Sequence, residues 1–344
     1  MWSRRAGLER SDGLERAESN GWTMLRGRRG DPAARPGGRD RLPVDRLAPA
    51  QLLHRDEPAA RRLQPAAGDA GGSLGAAYTV WYTGFGKKRT IKSNPDSMQG
   101  SYLGPEYNSK DILKVINKFG AQYTHYEEFN KLTKDAAMFL TEGKVVGWFQ
   151  GRMEFGPRAL GNRSIIGDAR NPEMQKKMNL KIKYRESFRP FAPSVLEEKV
   201  SKYFKIDRPS PYMLLVADVK EEKRFPQPSD DGLSMPERLK VKRSDIPAVT
   251  HLDYSARLQS VNKRDKPDYH AVISEFEKLT GCAVIVNTSF NVRGEPIICT
   301  PEDAYRCFMR TEMDILVMED CILFKEEQPS WEVEEDWRSE LELD

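Results

Sequence analysis

Long apolar runs are missing from this chain of 344 residues. No stretch approaches the roughly 18 consecutive apolar residues that carry a helix across a bilayer, so a helical membrane protein is excluded and a soluble, cytoplasmic one is expected. Cysteine is scarce as well. Cys282, Cys299, Cys307 and Cys321 form no Cys-x-x-Cys pair and read as reduced structural thiols, not as a disulfide scaffold. Histidine is limited to His54, His125, His251 and His270, without paired metal-ligand spacing, so no resident metal site is expected. Nor does one sign of charge dominate. The 55 Lys and Arg against 52 Asp and Glu leave a net charge of +3, too small to point to a nucleic-acid partner.

Lysine is absent before Lys87, and over residues 1–76 Arg, Ala, Gly and Pro recur without sustained apolar periodicity. Such a composition cannot bury enough apolar surface to order itself and is read as a disordered leader. The acids Asp12, Glu15, Glu18, Asp31 and Asp40 argue against a transit peptide, and the mixed charge against a nucleic-acid arm. Beyond it, 38% hydrophobic content supports a real core, with the fold expected to begin near Tyr78.

Periodicity then predicts a strand and turn over Tyr78–Gly86, and helices over Ser109–Phe119 and Tyr126–Thr141. A buried strand follows over Val145–Phe149, a short helix after Pro172, and a strand over Met213–Val219. The charged, proline-broken stretch 221–245 reads as a solvated excursion or lid. Another helix over Tyr269–Thr280 leads to a buried strand over Cys282–Val286. Thr300-Pro301-Glu302-Asp303 is a strong helix start, and Ile315–Phe324 returns as one strand. The alternation argues for an α/β domain, ending in an acidic tail over 326–344.

Four segments carry the chemistry. The first, 151–164, places Arg152, Arg158 and Arg163 among Gly151, Gly156, Pro157 and Gly161. Glycine lets a backbone approach closely, and the arginine fork suits phosphate or carboxylate, although a salt-bridged turn using Glu154 and Asp168 would look the same. The second sets Lys183, Arg185 and Arg189 in an irregular basic turn beside Phe188 and Phe191, which taken alone is also what a solvated turn shows. In the third, alternation puts His251, Asp253, Ser255, Arg257 and Gln259 on one strand face, as a solvent-facing strand would. The fourth presents Asn287, Thr288, Ser289 and Asn291 at the carboxyl end of a buried strand, where ligands of open α/β sheets bind. No Ser-His-Asp spacing accompanies Ser289, so it is not read as a hydrolase nucleophile.

Glu154 to Ser164, Arg185 to Ser194, His251 to Gln259 and Asn287 to Asn291 with Gly294-Glu295-Pro296 resemble, in this order, the C-terminal domain of the O-carbamoyltransferase family. Leu103-Gly104-Pro105-Glu106-Tyr107 resembles its entry segment. The resemblance implies a YrdC-like domain over 98–325, a twisted open mixed sheet flanked by helices, with 77–97 a linker or remnant of a preceding domain. Lys183-Tyr184-Arg185 and Ser289-Phe290-Asn291 are similar to the Lys-x-Arg and Ser-x-Asn signatures of that fold. It implies carbamoyl-adenylate formation from ATP, with Mg²⁺, and carbamoyl phosphate, for transfer to a sugar-like or natural-product hydroxyl. Lys183, Arg185 and Arg189 would then hold phosphate and carbamoyl oxygens. Arg158 and Arg257 would complete the anion site, and Ser289 and Asn291 would fix the carbamoyl or ATP phosphate end, with Lys183, Arg158 and Arg257 carrying catalysis. Asp168 or Asp253 would be within reach of Mg²⁺. Full-length members carry a preceding actin-like domain with a histidine-bound metal, and that region is missing from this sequence, so a separate acceptor domain is an expected partner. Two rivals remain: a non-catalytic nucleotide-binding or interaction module, and a threonylcarbamoyl-adenylate synthase-like enzyme of transfer RNA modification.

Overall fold

The computed structural model describes residues 69–88, 98–226 and 241–331, together with Ala66, Asp96 and Arg238. Of the leader expected to be disordered over 1–76, residues 1–65, 67 and 68 lie outside the described residues, whereas 69–76 are helical; most of the 221–245 excursion and the tail beyond 331 also lie outside. The first described element corrects the expected strand at Tyr78. Asp69–Thr79 is helical (α1) and Val80–Gly84 continues as a wider π turn. Aromatic spacing at 78, 81, 82 and 85 suits a helix as well as a strand, which is why short apolar runs mislead.

Helix α2, Ser109–Phe119, starts where expected. Asn108 accepts from the Lys110 and Asp111 N–H groups, Asp111 answers it, and Gly120 closes the far end at φ 61°. Ile112 and Ile116 face the core. After the two-residue strand β1, Thr124–His125, α3 spans Phe129–Thr141 and buries Leu132, Ala136, Ala137 and Leu140. The strand β2, Val146–Phe149, is buried throughout.

Next come β3, Arg163–Asp168, α4, Met174–Lys181, and β4, Ala192–Leu196. A single turn α5, Val200–Tyr203, leads to β5, Leu215–Asp218, and β6, Ser255–Val261. Helix α6, Pro267–Thr280, is followed by β7, Val284–Ser289. Helix α7, Pro301–Arg310, carries the expected Thr300 cap. The predicted single strand at 315–324 is instead a hairpin of β8, Ile315–Met318, and β9, Cys321–Phe324. Glu319-Asp320 forms its two-residue turn, with Glu319 at φ 51°, a conformation sequence periodicity does not register.

Among the described residues the strands form one open nine-stranded sheet in the order β1-β9-β8-β2-β3-β7-β4-β6-β5. β2 with β8 and β4 with β6 are parallel, and the other pairs antiparallel. Helices α3 and α6 pack side by side over its centre, while α2 and α7 pack together near β2 and β8. No described helix is long and apolar enough to cross a membrane. Two register facts position the site. Asn287 of β7 pairs with Ala192, and Ser194 pairs with Gln259. Extending the β4–β6 register by two residues sets Ala192 beside Arg257, so Arg257 and Asn287 lie on the two strands that flank β4, about 10 Å apart across the sheet.

Candidate active site

The cluster at the carboxyl end of β7 begins with how α4 ends. Tyr184 takes a left-handed backbone at φ 48°, and the Lys183 and Arg185 N–H groups fold back onto the Met178 and Asn179 carbonyls. That reversal turns Lys183 inward, leaving it 3% exposed. Its Nζ donates to Asn291 Oδ1 at 2.7 Å, to the Asn291 carbonyl at 2.8 Å and to the Ser289 carbonyl, with Ser289 Oγ at 3.3 Å. Ser289 Oγ donates to Asn291 Oδ1 at 2.6 Å, and Asn291 Nδ2 to the Glu295 carbonyl at 2.6 Å. Burial, reinforced by the Arg185 charge, pushes the ammonium down to about 7, while its oxygen acceptors favour the charged form.

This network floors a cleft of about 360 Å³ lined by Lys183, Arg185, Arg189, Ser289 and Asn291, and by the turn 292–296. Arg185 Nε donates to Asn179 Oδ1 at 2.6 Å, its guanidinium sits 5.0 Å from the Phe191 ring, and burial beside Arg189 lowers it to about 10. Arg189 pairs with Glu186 at 2.9 Å. Among the described lining residues one is a carboxylate, Glu295, which accepts from Val292 N–H at 3.3 Å and lies 3.8 Å from Arg310. Five of the expected site residues therefore meet here. Arg293 and Glu295 join them; the signal available in the sequence was their place in the turn that follows β7.

Arg158 and Arg257 lie outside that lining, but near enough for the charge of Arg158 to act on Arg257. Arg158 stands on a loop fixed by its own polar groups. Glu154 Oε1 accepts from Leu160 and Asn162 N–H at 2.7 Å each, Asn287 Nδ2 donates to the Ala159 carbonyl, and Gln259 Nε2 donates to that of Leu160. Gly161, at φ 105°, passes so close to Tyr269 that a Cβ would stand 2.4 Å from the ring. Burial, with Arg158 beside it, lowers Arg257 to about 10, and burial lowers Arg158 too. Each guanidinium buries an Nε that has no hydrogen-bond partner. Neither forms an ion pair with a described carboxylate.

Residues 137–325 match the family described as Carbamoyltransferase C-terminus. The chain belongs to this carbamoyltransferase C-terminal family. An uncharacterized protein of Synechocystis sp. is 57% identical over 285 residues, covering 82% of this chain and 46% of the relative. Nodulation protein NolO of Bradyrhizobium diazoefficiens is 37% identical over 259 residues, covering 74% of this chain and 43% of NolO. The 3'-hydroxymethylcephem-O-carbamoyltransferase of Streptomyces clavuligerus is 37% identical over 179 residues, covering 52% of this chain and 30% of that enzyme. The chain thus spans less than half the length of these relatives.

Within this carbamoyltransferase C-terminal chain, several polar residues singled out by spacing do other work. Arg163 is not an anion hand: it is fully buried in β3 and spends its guanidinium on backbone carbonyls. Arg152 pairs on the surface with Glu106 at 3.4 Å. Asp168, at the opposite end of β3 from Arg163, is held by Arg170 through both oxygens, so it is not placed for Mg²⁺ beside the cleft. The strand face expected over His251–Gln259 starts only at Ser255, because Tyr254 turns at φ 63°. His251 and Asp253 belong to that turn, and Asp253 is taken up by His251 at 3.1 Å and Ser255 at 2.6 Å.

Glu319 is a further perturbed group of this carbamoyltransferase C-terminal chain. It accepts the Gly151 N–H at 2.7 Å, and burial raises its carboxyl to about 7. A folded-state value above the unfolded one means that the folded chain keeps a proton the unfolded chain has released. Stability from this group therefore falls as pH rises from the ordinary carboxylate range towards 7. Glu319→Gln keeps the acceptor and removes the charge. It is expected to melt with wild type at pH 5 and to be about 1–2 kcal/mol more stable at pH 8. Equal differences at both pH values in thermal melts would show that Glu319 does not titrate in this range.

Proposed function

We propose that this chain forms carbamoyl-adenylate from carbamoyl phosphate and MgATP, for O-carbamoylation of a sugar-like or natural-product hydroxyl held by a separate acceptor domain. The observation that carries the reading is Arg158 and Arg257, two half-buried cations, each with a buried and unpartnered Nε, the charge of Arg158 acting on Arg257. Burying like charges without a counter-ion is costly, and a polyanionic ligand that supplies bidentate acceptors relieves the cost. Family membership and the name of the Streptomyces relative support carbamoyl as the group transferred.

The chemistry balances in two steps. Water releases inorganic phosphate from carbamoyl phosphate and leaves carbamate. A carbamate oxygen then attacks the α-phosphorus of ATP, the bond from that phosphorus to the bridging oxygen breaks, and pyrophosphate departs. Arg185 and Arg189 hold phosphate and carbamoyl oxygens, and Ser289 and Asn291 orient the carbamoyl or phosphate end. Arg158 and Arg257 stabilise the charge that grows on the transferred and leaving oxygens, the kind of preorganised electrostatics that contributes most to such reactions. Lys183 acts first by fixing Ser289 and Asn291, and reaches a ligand oxygen by giving up one of those bonds. Mg²⁺ would enter bound to ATP; among the described residues no group of three or more His, Cys, Asp or Glu is placed to hold a metal.

Pyrophosphate release from ATP by the full chain tests the proposal. Release that depends on carbamoyl phosphate is the expected result. Release with bicarbonate and threonine instead would move the chain to threonylcarbamoyl-adenylate synthesis. ATP binding without release in either mixture, and with a family acceptor domain supplied in trans, would make it a binding module.

A further inference from the structure

The turn that carries Arg185 and Arg189 also carries Phe188, which is 51% exposed. An exposed phenylalanine on a loose turn needs no explanation, but this turn is not loose. Asn179, itself fully buried, donates Nδ2 to the Ser187 carbonyl at 3.1 Å and to the Arg189 carbonyl at 2.9 Å. Gln175 Nε2 donates to the Phe188 carbonyl at 3.0 Å and to the Arg189 carbonyl at 3.1 Å. Two side chains of α4 thus pin the backbone on both sides of the ring. Phe191, on the same segment, is buried and has the Arg185 guanidinium over its face. Phe188 has neither: no described ring or cation covers it, and it is not part of the hydrophobic core. A rigidly held, uncovered aromatic face therefore stands one residue from Arg189 and three from Arg185, both of which line the cleft.

We propose that Phe188 is the platform on which the base of the nucleotide stacks, the phosphates running from it towards Lys183, Arg185 and Arg189. This rests on the reading of the cleft as an ATP site and names the part of ATP that reading leaves unplaced. In a nucleotide one sugar separates the base from the phosphates, and Phe188 stands outside the cleft lining but next in the chain to Arg189, which is part of it. An aromatic ring for the base together with cations for the phosphates is a combination that proteins use to bind nucleic-acid strands. An apolar face next to the arginines also keeps water from the phosphate contacts, which strengthens them.

The test compares binding of ATP and of inorganic tripolyphosphate, which has the charge but no base, to the full chain. Wild type is expected to bind ATP more tightly than tripolyphosphate. Phe188→Ala is expected to weaken ATP by about tenfold, within the range that alanine substitution gives for base stacking, and to leave tripolyphosphate unchanged. Phe188→Tyr should restore ATP binding, because it restores the face. Tyr123→Ala, which removes an aromatic of similar exposure just before β1 at the far edge of the sheet, should change neither ligand. If Phe188→Ala weakens both ligands alike, or neither, or if wild type does not distinguish them, the platform is overturned. Carbamoyl-phosphate-dependent pyrophosphate release is read separately, so a platform that fails while release persists leaves the adenylation reading intact, and a platform that holds without release removes only that reading.

Discussion

Replacing Arg163 with alanine is expected to cost about 3–5 kcal/mol of folding stability, the loss typical when one partner of a buried charged network is removed. The side chain is fully buried. Its Nη1 donates to the carbonyls of Gln150 at 3.0 Å, Gly151 at 3.1 Å and Asn162 at 3.0 Å, its Nη2 to that of Pro105 at 3.3 Å, and its Nε to that of Cys299 at 3.4 Å. The guanidinium also lies 3.6 Å from the centre of the Phe149 ring. One cation thus ties together the 105 segment, the 150–162 loop and the entry to α7. Alanine would take this donor from the Gln150, Gly151 and Cys299 carbonyls, while those of Asn162 and Pro105 keep the Gln150 and Met153 N–H groups, and would open a cavity beneath Phe149, two penalties that add. For a domain of this size the melting temperature should fall by roughly 10 °C. Arg163→Lys keeps the charge and loses the fork, so it should fall in between. A melt within two degrees or so of wild type for the alanine variant would sink this account. Any activity lost by Arg163→Ala should follow the unfolded fraction and return on cooling, because the side chain faces backbone and not the cleft.

That prediction separates what spacing reveals from what it hides. In a glycine-rich segment an arginine that binds phosphate and one that clamps carbonyls look identical, and only the β2–β3 register, which pairs Phe149 with Arg163, tells them apart. Strand β4 was hidden for a related reason. Pro193 lies within it, between β7 and β6, where a missing N–H usually argues against a strand. Local signals did better where they were complete. Asn108 with Asp111 and Thr300 with Asp303 supply both halves of a capping box, and both helices start there. The cleft was legible as far as residues close in sequence share it. Lys183, Arg185 and Arg189 leave one turn, Ser289 and Asn291 another, and the buried strand before the latter implied its exposed carboxyl end. What could not be read was the distance between clusters. The pairing of Arg158 with Arg257 depends on Asn287 and Gln259 reaching across the sheet to the Ala159 and Leu160 carbonyls.

That pairing carries the second large effect. Arg257→Ala is expected to lower kcat/KM for adenylation by roughly 10- to 150-fold, equivalent to the 1.5–3 kcal/mol of one charge-assisted contact. Without ligand it should be no less stable than wild type. The reason is electrostatic: burial and Arg158 depress Arg257, and burial depresses Arg158, so the ligand-free protein stores a repulsion that alanine removes. A residue that only supported the fold would lose stability and activity together; one that waits for an anion loses activity and keeps or gains stability. Added phosphate or ATP should therefore raise the melting temperature of wild type more than that of the variant, since a ligand stabilises only the state it binds. The double variant sharpens the test. If the two guanidiniums repel, Arg158→Ala should gain less stability in the Arg257→Ala background than in wild type, because the repulsion is already gone. Additive effects would mean that the two cations do not sense each other, and near-normal turnover by Arg257→Ala would remove it from the site.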